Sequence, residues 1–158
     1  MGAAQALSAK ARAKRRRVIA RRYIMADPDY GSGLSALPGQ PPDELFRPIQ
    51  GPRVLAESLA RQLSCPPGGL FWAPEKGLDL RSYLRSRIDG QRLVEIRQRA
   101  LATLQADERV IDARVGPTFD AAAELLRVAI TVEAAEGPFS FVLEVSAARV
   151  ELFGFTEG

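Results

Sequence analysis

Two pairs of carboxylates, Asp107 with Glu108 and Glu75 with Asp79, have the residue types and the closeness that acid–base chemistry on a glycan requires. Both pairs fall at the ends of helical segments, where acids act as caps and face the helix dipole, so they read first as solvated capping residues. Other routes to catalysis are poorly supplied. The 158 residues include no histidine, and Lys76 is the sole lysine after residue 25, which leaves a nucleophilic serine without its usual base. Cys65 is the only cysteine and precedes Pro66, so it is expected to be a small buried side chain rather than a reactive thiol. The glycines of "PPGGLF" have neither the spacing nor the Lys-Ser/Thr of a phosphate loop and read as turn residues. No metal set, cofactor motif or catalytic residue is expected.

Charge is distributed unevenly. Residues 1 to 25 hold eight Lys and Arg, among them Arg15, Arg16, Arg17, Arg21 and Arg22, and no acid. The rest of the chain carries 14 basic and 19 acidic groups. A basic arm on an acidic body suits nucleic acid or an acidic partner. Met25 opens "MADPDYGSG", so residues 1 to 24 read equally well as an extension upstream of the natural start. No apolar run approaches the roughly 18 residues that span a bilayer, and no secretory signal is recognisable, so a soluble cytoplasmic protein is expected.

Three regions follow: a basic extension (1–25), a Pro/Gly-rich loop segment (26–51) and a domain (52–158). Within the domain, "PRVLAESLARQLS" reads as a helix with Pro52 in its first turn and Leu55, Leu59 and Leu63 on one side. "CPPGGLFWAPEKG" interrupts it. The segment "DLRSYLRSRI" reads as a second helix capped by Asp79, and a third runs from about Gln91 to Ala106. The apolar period then changes to two in "RVIDARVG", "LLRVAITVEA", "PFSFVLEVS" and "ARVELFGF". The predicted fold is α+β, with about three helices on one face of a small antiparallel β-meander. Val150 and Leu152 belong to the buried face of the last strand, and Phe153 and Phe155 are expected to stand exposed at the chain's end. Phe71 and Trp72 are expected to be at least half core, clamping the helices. The arginines at 81, 85, 87, 92, 97 and 99 line solvated helix faces.

The order of these pieces resembles the baseplate wedge and sheath-initiator family of contractile tails, found in phages and related injection machines. The resemblance spans roughly residues 52 to 153. A helix is followed by a Pro/Gly loop, matched by Cys65 to Gly69 and Pro74 to Gly77, and a later helix leads into an acidic-Pro-Arg-like turn, matched by Asp107, Glu108 and Arg109. Asp107 stands where the family has Glu, Glu108 where it has Pro, and Lys76 where an aromatic is common. The resemblance implies a structural, non-enzymatic protein that joins the wedge to the tail tube and first sheath ring. It also implies six copies per particle, a β-strand added by the sheath protein, and contacts with other wedge proteins and with tube or hub proteins. Such a protein would assemble in the cytoplasm and end in the baseplate of the particle. Partner contacts are then expected at Asp107, Arg109, Phe71, Trp72, Arg81, Arg85, Val150, Leu152, Phe153 and Phe155, with Arg109 foremost. The competing expectations are a nucleic-acid module built on the arm and a cell-wall glycan hydrolase. The lysozyme-like label sometimes given to this family finds no support in these residues.

Overall fold

The computed structural model of the chain describes residues 30–35, 48–71 and 73–158. The basic arm and Trp72 lie outside the described residues. The predicted α+β class holds: among the described residues, three helices accompany a two-stranded and a four-stranded antiparallel sheet. In the segment read as loop, β1 (Gly33–Leu34) pairs antiparallel with β2 (Pro48–Ile49).

Helix α1 (Pro52–Ser64) has the predicted bounds. Gly51 supplies the positive φ of 69° at its N-cap, and Pro52 fits the first turn, where no N–H partner is needed. Pro66 disfavours helical backbone at Cys65, which turns extended at ψ 141° while its N–H still bonds Arg61 O. Leu55, Leu59 and Leu63 are fully buried.

The second helix is far shorter than its sequence suggests, because α2 spans only Leu80–Tyr83. Asp79 adopts a left-handed φ of 51°, and its side chain makes no cap. The hydroxyls of Ser82 and Ser86 instead donate to the carbonyls of Asp79 (2.7 Å) and Tyr83 (3.2 Å), and the following turns close by bonds between residues three apart. Serines that bond local carbonyls compete with the helical ladder, which explains the early stop.

Helix α3 (Gly90–Gln105) is capped by Asp89, whose Oδ1 accepts from Arg92 N at 2.8 Å. It buries Ile96, Ala100 and Leu104. The meander follows as β3 (Val110–Asp120), β4 (Leu125–Ala134), β5 (Gly137–Val145) and β6 (Val150–Glu157), each strand beside its chain neighbour. Strand β3 runs beyond the stretch "RVIDARVG" read as strand, through Pro117 to Asp120. Pro117 is tolerated because β3, among the described residues, is an edge strand with one side unpaired. One face of the sheet is apolar throughout, with Val115, Ile130 and Phe141 in register, and the helices cover it: α3 lies along β3, and α1 against β5 and β6. Among the described residues, no helix is long and apolar enough to cross a membrane.

Candidate functional site

The first candidate surface is the border and outer face of the four-stranded sheet. Strands β3 and β6 are its edges. Val150 and Leu152 of β6 are buried as expected, and Phe153 faces outward at 45% exposure. Phe155 departs from expectation. Gly154 and Phe155 together oppose Phe141, and Gly154 takes a φ of 58°, so the strand bulges. That extra residue resets the alternation, and Phe155 becomes half-buried against Phe139, with ring centroids 5.9 Å apart. On the outer face Gly116, Ala129, Val142 and Phe153 are in register across all four strands. This lane of small side chains ends at the exposed Phe153. Beside it runs a polar row in which Arg127 Nε donates to Glu144 Oε1 at 2.7 Å.

A second candidate surface is the loop between α1 and α2. Its two ends meet, since Leu78 N donates to Gln62 O at 3.1 Å and Asp79 N to Cys65 O at 3.0 Å. Its interior is cross-braced by Gly68 N to Pro74 O and Gly69 N to Pro66 O. The backbone packs on itself so closely that a Cβ on Gly77 would sit 2.7 Å from Pro66 O. Leu70 and Ala73 fill the inside, so the expectation of a core role for Phe71 is overturned: it is 87% exposed on the loop. Cys65 at the loop's base is half-buried rather than fully enclosed.

The third region is the turn from α3 to β3, and it corrects the reading of Asp107 as a solvated acid. Asp107 is only 3% exposed. Arg109 clasps it sideways, Nε to Oδ1 at 3.0 Å and Nη2 to Oδ2 at 2.8 Å, while the Arg109 backbone N–H also donates to Oδ1. Gln62 Nε2 adds a bond to Oδ2 at 3.2 Å, and Arg109 Nη2 reaches Ser58 Oγ at 3.1 Å. Ser58 and Gln62 are one turn apart on α1, so this cluster pins α1 to the start of the sheet. Burial alone would push the Asp107 carboxyl up. The hydrogen bonds and charge of Arg109, with Gln62, outweigh burial and hold it at about 2. It is therefore ionised at neutral pH, the opposite of the protonated state a general acid starts from. The Arg109 guanidinium, expected to face a partner, is instead engaged within the chain, although a little over a third of its side chain still meets solvent.

A polar contact that sequence reasoning missed lies further up α1. Glu57 is 1% exposed, accepts from Ser35 Oγ at 2.9 Å and faces Arg53 Nε at 3.4 Å, tying the β1 segment to the helix. Its position between Ala56 and Ser58 gave no signal of burial.

The arginine face is more varied than predicted. Arg81 is weakly engaged, with Asp79 3.9 Å away, and Arg85 and Arg87 are exposed and form no ion pair among the described residues. Arg92 lies over the Tyr83 ring at 5.6 Å and pairs with Glu95, which docks the first turn of α3 onto α2. The expected partner-contact residues therefore divide among the sheet border, the braced loop, the internal pin and, for Arg81 and Arg85, the short helix α2 and the turn after it. Comparison of the chain with protein-family models, with curated proteins and with solved structures finds no match to any of them.

Proposed function

We propose that this chain is a structural component of the baseplate of a contractile tail or injection particle. There it joins the wedge to the tail tube and the first sheath ring, and it starts the sheath by accepting a β-strand. The observation that carries this reading is the four-stranded meander, whose edge strands β3 and β6 have no further strand beside them among the described residues. An edge strand offers main-chain donors and acceptors that an incoming strand can complete, with alternating side chains giving specificity. On β3 the stretch from Asp112 to Gly116 lies between the bulge at its start and Pro117. On β6 the stretch from Val150 to Phe153 precedes the bulge at Gly154. Strand addition also demands that the sheet not shift when loaded, and the pin at Asp107 and the braced loop both fix α1 relative to it. Other wedge proteins and tube or hub proteins would complete the site, with six copies arranged around the tail.

The test is hydrogen exchange on the full chain, alone and mixed with the tail sheath protein of the same genome. Backbone amides of β3 or β6 are expected to gain protection in the mixture, while those of β4 stay as they were. A sheath protein that binds without protecting either edge, or does not bind at all, sinks the reading.

A further inference from the structure

The two borders of the larger sheet differ in what their main chains still offer. Along an antiparallel ladder, pairs that exchange hydrogen bonds alternate with pairs whose N–H and C=O groups point away from each other. Ser146 N donates to Arg149 O at 2.9 Å across the last turn, and these two residues continue the register of β5 with β6. From that bonded pair, the alternation turns the main-chain groups of Val150 and Leu152 outward on β6. Carried across β5 and β4 by their register, it turns those of Ala113, Val115 and Pro117 outward on β3. The proline ring therefore sits on the border, where its missing N–H leaves β4 undisturbed. Leu152 already has a partner within the chain, and a leucine can engage one only through its main chain. The outward groups of Ala113 and Val115 have no partner among the described residues.

The surroundings of β3 narrow the choice of occupant. Asp112 and Arg114 flank Ala113 on the outer face, and neither forms an ion pair among the described residues. Ala113 and Val115 belong to the buried, apolar face. Helix α3 lies along β3. A second copy paired at this border would bring its own α3 over its own β3, yet neighbouring strands are about 4.8 Å apart and packed helices need about 8 to 10 Å. An extended arm with no helix over it meets no such obstacle.

We propose that β3, and not β6, is the border that accepts the sheath strand, an inference that rests on strand addition as the chain's role. The guest is an extended arm running antiparallel along Asp112 to Gly116, with a basic residue opposite Asp112, an acidic one opposite Arg114 and apolar ones opposite Ala113 and Val115. Read in its own direction, that arm is apolar, acidic, apolar, basic. The bulge before Asp112 and the absent donor at Pro117 mark its two ends.

Hydrogen exchange resolved to single amides, on the full chain mixed with the tail sheath protein of the same genome, tests this. The amides of Ala113 and Val115 are expected to slow about tenfold or more on mixing, and those of Val150 and Leu152 to keep their rates. Arg114→Glu and Asp112→Lys, each checked for an unchanged thermal melt, are each expected to weaken binding about tenfold or more. Protection confined to β6, or shared by both borders, overturns the choice of β3 and leaves strand addition standing. Protection at neither border takes both down. Binding that both charge reversals leave intact overturns the side-chain pattern. Sedimentation velocity on the chain alone at about 500 µM should show a monomer. A dimer that Arg114→Glu breaks would make a second copy the guest and overturn the choice of occupant.

Discussion

Helix α1 is held at two places by opposite means. Midway along it, Ser58 and Gln62 bind the Asp107–Arg109 pair, a contact made between side chains and dependent on charge. At its C-terminal end the loop closes through main-chain bonds to Gln62 and Cys65, and no titratable group takes part. A pin made of side chains can be withdrawn by one substitution or by protons. A brace made of backbone yields only when its geometry is spoiled. The two supports should therefore fail under different conditions.

The largest effect is expected from Asp107→Ala. It strands Arg109 and Gln62 together, and a thermal or urea melt should show a loss of about 3 kcal/mol, tempered by the partial access of Arg109 to water. Gly77→Ala attacks the other support. Its Cβ would meet the carbonyls of Pro66 and Cys65 at 2.7 and 2.8 Å, on a backbone whose φ is 129°. A cost of about 2 to 3 kcal/mol is expected, the same at pH 7 and pH 3, read from paired denaturant melts.

Acid separates the supports within the native chain. Asp107 is held at about 2 against an ordinary 3.8, so its contribution is fully present above pH 4 and is lost as pH falls through the folded value. The shift corresponds to about 2 kcal/mol. Asp107→Asn should remove that share of the pH dependence, and an acid titration whose slope is the same with and without the substitution would refute the assignment. The smallest effect is expected at Asp89→Ala, which deletes the cap of α3 and touches neither support, at about 1 kcal/mol. Circular dichroism melts of the variant against the parent would measure it.

The regular parts of this fold were legible from periodicity. Leucines at spacing four between Pro52 and Pro66 located α1, and alternation located all four strands of the meander with their buried faces. Deviations arose where a local bond or a tertiary contact overrode the pattern. The serines after Asp79 shortened α2, which no hydrophobic period reveals. Strand β3 outruns "RVIDARVG", because the sequence does not say which strand lies at an edge and can carry Pro117. Phe155 changed sides through one bulged residue, and alternation cannot foresee an inserted step. Burial of Asp107 depends on Gln62, 45 positions earlier in the chain, a proximity no local spacing encodes. Phe71 was judged by its size, whereas the loop filled its interior with Leu70 and Ala73.

The meander also bears on how the chain reaches this fold. Every strand of the larger sheet pairs with its immediate successor, and β4 meets β5 across a turn of just Ala135 and Glu136. Closing such short connections sacrifices little chain freedom, so the C-terminal half can zip up hairpin by hairpin before the distant α1 arrives. Refolding from denaturant is then expected to restore the strand signal ahead of the docking of α1.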